Sequence, residues 1–266
     1  MPNTFSPILR VSLIQSNLHW ESAEKNIEMF TQKIKDIEEE TNLIVLPEMF
    51  STGFTMNAAA NAEAMDGVTV QWMRKMAFQK QAVIVGSIIV EEDKKYYNRL
   101  IWMRPDGSFN HYDKRHLFRL AGEENTYTQG KHQWIMVWKG WKIYPLICYD
   151  LRFPVWSRRK KDFDYDLLLY VANWPERRVQ AWKTLLPARA IENQSYVVGL
   201  NRVGADGNEI IHSGDSMVID FKGSVMSHFE PGKEKTETVS LDIEPLNDFR
   251  KQFAFAEDAD DFEIKP

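Results

Sequence analysis

Short, uninterrupted apolar runs recur along this chain with amphipathic stretches between them, and that alternation restricts the fold more than any other feature. Residues 8–14 are the first such run. After it, Ala23, Ile27, Phe30, Ile34 and Ile37 fall on one face of a helix, with Ser22 placed to cap it. Residues 42–46 form a second run, short and β-branched enough to predict a buried strand, which ends on Pro47 and Glu48. The same reading predicts a helix over 68–79, a strand over 83–90, and a strand over 100–104 closed by Pro105, Asp106 and Gly107. Residues 134–138 and 141–147 predict a hairpin about Lys139 and Gly140, with Cys148 directly after it. Strands are expected at 166–172 and 196–201 around a helix at 182–193, then a hairpin over 217–226 and a closing strand at 236–243. Many strands interleaved with helices predict a layered α/β sandwich.

Nothing divides this pattern. No Ser, Gly or Pro-rich linker interrupts the 266 residues and no fixed-period repeat is present, so one domain is expected. The longest apolar stretch, residues 82–90, falls far short of the roughly 18 residues a spanning helix needs. The first ten residues lack the basic region and apolar core of a signal peptide. A net charge of -5 offers no broad basic surface for nucleic acid. The single Cys excludes an internal disulfide and a multi-thiolate metal site, and points to a reducing, cytoplasmic setting.

Three strand-end positions carry unlike reactive groups: Glu48 in IVLPEMF, Lys114 in HYDKRHLF and Cys148 in PLICYDLRFP. Each has a plain structural reading, as a loop carboxylate, a surface cation and a small buried hydrophobe. Together they can do chemistry, because polar residues after buried strands gather at one edge of an α/β sheet. A thiol with a pKa of about 8.5 needs a base or a cation beside it to act as a nucleophile near neutrality. Glu48 can be that base. Lys114 can favour the thiolate and, with the Tyr149 backbone N–H, face the oxyanion of a tetrahedral intermediate.

These motifs, in this order, resemble the Glu-Lys-Cys triad of the nitrilase, or carbon-nitrogen hydrolase, superfamily. The resemblance continues through YVANWP (170–175), ARAIENQSYVVGLNRVG (188–204) and HSGDSMVIDFKG (212–223), and so spans nearly the whole chain. It implies a single-domain, four-layer α-β-β-α sandwich and a second glutamate between Lys114 and Cys148. Glu123 in AGEENTYTQG is the expected position, with Glu124 the competing one. RHLFRLAGE, CYDLRFPVWSR and NWPERR are most similar to the omega-amidase branch, which hydrolyses the terminal amide of 2-oxoglutaramate and 2-oxosuccinamate. The mechanism this implies runs through a thioester on Cys148 and requires no metal or organic cofactor. Another amide or an N-carbamoyl amino acid is the alternative substrate, and an inactive binding or scaffold protein of the same fold is the alternative class.

A 2-oxo-acid amide carries a far carboxylate, for which Arg119, Arg152 and Arg177 are the candidate partners. Phe118, Tyr149, Asn173 and Trp174 flank the motifs and are expected to line the pocket. None of the six histidines has HxH or HExxH spacing, so no metal site is expected; His111 and His116 read as hydrogen-bonding near the lysine loop. Ser216 lacks a GxSxG setting and GEENTYTQGK lacks phosphate-loop spacing. The resemblance further implies a homodimer. Phe249, Phe253 and Phe255, in the segment from about residue 245, could serve association, or that segment and the acidic stretch 257–261 could be a frayed end.

Overall fold

A computed structural model describes residues 5–264. In its first half, β1 (Ile8–Gln15), β2 (Leu43–Val45) and β3 (Val83–Glu92) lie parallel, joined by α1 (Ala23–Lys35) and then by the short α2 (Ala58–Asn61) and α3 (Val68–Lys80). β4 (Lys95–Met103) and β5 (Phe109–Asp113) extend this sheet as an antiparallel meander. The second half repeats the plan. β6 (Met136–Trp138) pairs antiparallel with β7 (Trp141–Ile147), which lies parallel to β8 (Leu167–Ala172) and β9 (Tyr196–Asn201). α4 (Pro154–Ser157) lies between β7 and β8, and α5 (Val179–Asn193) joins β8 to β9. β10 (Val203–Ala205) and β11 (Ile211–Ser213) form a small ribbon, β12 (Met217–Ile219) edges the second sheet, and β13 (Lys235–Asp242) returns to pair with β1. α6 (Ile243–Gln252) follows.

The period of two in the first sheet decides its layers. Ile14, Ile44, Ile84 and Ile88 face Phe30 and Ile34 of α1 and Val70 and Met73 of α3. Their neighbours Leu13, Leu43, Val45, Val83 and Val85 join the cluster that contains Leu146, Leu168 and Val198 of the second sheet. On the far side of that sheet α5 approaches so closely that a Cβ on Gly199 would lie 2.5 Å from Leu186. Helix, sheet, sheet and helix therefore stack in four layers. Each fully buried Phe, Ile or Val side chain in these contacts contributes about 1.5–3 kcal/mol.

Several elements differ from the sequence-based expectation. Ser22 occupies the N-cap of α1 but its side chain makes no cap bond; Glu24 in the first turn and Lys33 and Lys35 in the last complement the helix dipole. β4 begins at Lys95, earlier than expected, because it pairs back along β3 as far as Glu92. The expected 217–226 hairpin reduces to β12 and one bridge, Ile219 to Val225, about a turn in which Asp220 accepts from the Lys222 and Ser224 amides. The segment from about 245 packs against the rest of the chain, out to Phe262 beneath Lys160 and Ile264 against the core. Asp242 caps α6 by accepting from Glu244 N, Leu246 is buried, Arg250 pairs with Asp166 at 3.0 Å, and Gln194 donates to Phe253 O. Among the described residues no helix is long and apolar enough to cross a membrane.

Candidate active site

Glu48 follows β2, Lys114 follows β5, Cys148 follows β7 and Asn173 follows β8. β2 and β5 run in the same direction in one sheet, β7 and β8 in the other, so these residues leave the C-terminal edges of their strands and converge. The convergence is tight. Lys114 Nζ donates to Glu48 Oε1 at 2.9 Å and to both Glu123 oxygens at 2.9 and 3.0 Å, with all three side chains essentially inaccessible. Glu48 Oε2 accepts from the Asn173 amide at 2.8 Å, which ties the first sheet to the second.

Glu123, not the exposed Glu124, enters this network. Its Oε2 accepts from the Phe118 amide at 2.5 Å. Asn98 of β4, unrecognised in the sequence, bridges the two carboxylates by donating from Nδ2 to Glu48 Oε1 and Glu123 Oε1 at 2.8 and 3.3 Å. An Asn inside the apolar strand KYYNRLIWM was the only signal for it.

Burial lowers the proton affinity of Lys114, but Glu123 and Glu48 outweigh it and hold the ammonium well above the usual lysine range. Burial pushes the Glu123 carboxyl up, with Lys114 opposing. The Cys148 thiol is pushed well up, first by burial and then by the facing Glu48 carboxylate, while Lys114 pulls it down. That direction favours the thiol form of Cys148, which faces the Glu48 carboxylate.

Cys148 opens a 3₁₀ turn, Cys148–Arg152, with φ at +43°. A non-glycine residue there costs on the order of 1–3 kcal/mol, so the surroundings must enforce it. Asp150 does much of this, and it too was unrecognised. Fully buried, it accepts from Ile147 N and Tyr112 OH on one oxygen and from His116 N and Nδ1 on the other, at 2.8 to 3.1 Å. The cysteine turn is thereby fastened to the lysine loop. His116 also stacks on Phe153 at 3.7 Å, whereas His111 is exposed on β5.

The floor opens into a cavity of about 550 Å³. Phe118, Tyr149, Asn173 and Trp174 line it, together with Arg152 and Arg177. Arg119 does not: it is exposed on the 3₁₀ turn Arg119–Ala121, outside the lining. Arg178, passed over in the sequence, does. Its guanidinium lies over the Phe118 ring at 4.9 Å, and that of Arg152 over Trp174 at 4.8 Å. Among the described residues none of Arg152, Arg177 and Arg178 is paired with a carboxylate. Nor, among them, do three or more His, Cys, Asp or Glu side chains gather where a metal could sit.

A half-buried thiol at the cavity, a facing carboxylate and an ammonium held between two carboxylates form a set suited to substitution at a carbonyl carbon. Residues 10–251 match the carbon-nitrogen hydrolase family. The chain belongs to the carbon-nitrogen hydrolase family. It is therefore an amide-hydrolysing enzyme, and its relatives extend along nearly all of its length. It is 45% identical over 254 residues to omega-amidase YafV of Yersinia enterocolitica, covering 96% of this chain and 98% of that one. It is 32% identical over 229 residues to 2-oxoglutaramate amidase of Bacillus subtilis, covering 85% and 87%. In structure, a CN-hydrolase superfamily protein of Xanthomonas campestris with an arsenic adduct in its active site superposes with a TM-score of 0.95, at 41% identity and 97% and 99% coverage.

Proposed function

We propose that this carbon-nitrogen hydrolase removes the terminal amide of small 2-oxo-acid amides, 2-oxoglutaramate foremost and 2-oxosuccinamate beside it, giving the dicarboxylic acid and ammonia. The observation that carries this is the pairing, in one cavity, of Glu48, Lys114 and Cys148, with Glu123 behind Lys114, and three arginines that have no acidic partner among the described residues. A neutral amide would leave those cations unmatched. The activities named for the relatives support the same substrate class.

In this reading Glu48 takes the Cys148 proton and the thiolate attacks the amide carbon. Lys114 and the Tyr149 N–H bind the oxyanion, and Glu123 positions Lys114. Protonated Glu48 gives its proton to the departing nitrogen, so ammonia leaves and a thioester remains. Glu48 then deprotonates water, which attacks the thioester; the acid departs and the thiol is restored. Nucleophile, base and electrophile all come from side chains, so no cofactor is needed. Phe118, Tyr149, Asn173 and Trp174 form the walls. We place the enzyme in the cytoplasm as a single-domain homodimer, a state that sedimentation would test.

The deciding experiment is ammonia release from 2-oxoglutaramate, glutamine, an N-carbamoyl amino acid and a nitrile, by wild type and by Cys148→Ala. Fastest turnover of 2-oxoglutaramate, lost in the variant, is expected. Fastest turnover of the carbamoyl compound would defeat the substrate assignment, and equal rates in the variant would defeat the nucleophile.

A further inference from the structure

The three arginines of the cavity are not equivalent. Arg177 is exposed, and an ion pair made there gains about 0–1 kcal/mol. Arg152 and Arg178 are half-buried, each with its guanidinium resting on an aromatic face. Stacking of that kind fixes the plane of the fork and leaves its edge N–H groups free for a carboxylate.

What separates the two is what lies beneath them. Arg178 rests on Phe118, whose own amide holds Glu123 Oε2 and whose ring meets Tyr149, the neighbour of Cys148, at 5.0 Å. The backbone of Arg178 is fastened as well, its carbonyl accepting from Trp174 Nε1 at 2.8 Å. Burial depresses the proton affinity of Arg178, Arg177 and Arg152 depress it further, and Cys148 opposes them. A cation partly withdrawn from water, crowded by like charges and without a carboxylate partner among the described residues is an unfavourable arrangement. A bound carboxylate would relieve it, and would do so at a fixed place relative to the thiol.

We propose that Arg178 is the principal seat of the substrate's far carboxylate, with Arg152 as the second arm of the clamp and Arg177 outside the contact. This rests on the 2-oxo-acid amide reading and adds the residue that sets its specificity. Bidentate pairing gives the site both charge and direction, so it selects amides with an acid at the other end of a short chain. Lysine at 178 would keep the charge and lose the fork.

The test compares kcat/KM for 2-oxoglutaramate with that for pentanamide, an uncharged amide of the same chain length, in wild type, Arg178→Met, Arg178→Lys, Arg152→Met and Arg177→Met. The ratio is expected to fall about 100-fold in Arg178→Met, with Arg178→Lys recovering less than about a tenth of the loss, about 10-fold in Arg152→Met, and under about threefold in Arg177→Met. Equal losses on both amides in Arg178→Met would reduce Arg178 to a structural role, and a larger change of ratio in Arg152→Met or Arg177→Met would overturn the assignment. Calorimetric binding of glutarate to Cys148→Ala, with and without Arg178→Met, separates this proposal from the one beneath it. If wild type ignores 2-oxoglutaramate yet glutarate binding still depends on Arg178, the substrate reading fails and the carboxylate seat stands; if glutarate binds equally to both proteins, the seat fails.

Discussion

The floor of the cavity and its arginine wall are built on opposite principles. On the floor, Lys114 lies between Glu48 and Glu123, Asn98 bridges the two acids, and the Asn173 amide closes on Glu48. On the wall, Arg152, Arg177 and Arg178 carry charge without an acidic partner among the described residues. The contrast teaches a division of labour. A group that must meet a developing oxyanion works best when its position and charge are fixed beforehand. A group that must recognise an incoming anion works best when its counter-charge is still missing.

If the floor acts as a unit, damage to it should be severe and non-additive, whereas damage to the wall should be graded and substrate-dependent. The largest effect is expected from Cys148→Ala, which removes the proposed nucleophile and should lower ammonia release by about 10⁴-fold or more. Glu48→Gln and Glu123→Gln should each cost about 10²–10³-fold in kcat, and the double variant little more than the worse single one. Additive losses, measured by single-turnover kinetics, would break the picture of a preassembled floor.

The thiol's titration sharpens the same point. Burial and Glu48 raise its pKa, so alkylation of Cys148 by iodoacetamide should keep accelerating as pH rises past the ordinary thiol value of about 8.5. Lys114→Met removes the cation that opposes this shift and should move the profile to still higher pH. A plateau near the ordinary value in wild type would show that the floor does not hold the thiol protonated at rest.

Glu48 and Cys148 were legible because each follows an apolar run that forms a strand, and Lys114 because the HYDKRHLF motif resemblance joined it to them. Asn98 and Asp150 were not, since one lies within an apolar strand and the other in a turn whose partners come from distant segments. Tertiary pairing alone gives them a role. β5 was missed for a related reason: on this edge strand, FNHYD, only Tyr112 is buried, so no apolar run announces it. α6 was hidden because Ile243 and Leu246, with half-buried Phe249, are too few to mark a helix in a charged segment. Arg178 was indistinguishable from Arg177 in the sequence; only the fold puts one over Phe118 and leaves the other exposed.

Asp150 offers a milder way to test the link between floor and fold. Each of its oxygens accepts two donors, and in Asp150→Asn an amide nitrogen would face a pair of them. A stability loss of about 1–3 kcal/mol in urea unfolding, with kcat down about 10-fold, is expected. Full activity with lowered stability would mean that the strained Cys148 turn holds its shape without Asp150.

His212 of β11 combines the two principles, being buried like the floor and unpartnered at Nδ1 like the wall. Burial, and after it Arg202, lowers its pKa to about 4, against about 6.5 in an unfolded chain. The folded state therefore binds fewer protons than the unfolded state between those values. Its stability is fully present above pH 6.5 and is lost as pH falls toward 4, by about 1–3 kcal/mol from this group. Urea midpoints at pH 7 and pH 4.5 should thus differ less in His212→Asn than in wild type. Equal differences would show that His212 accepts its proton in the folded protein, and that this part of the cavity lining tolerates an added charge.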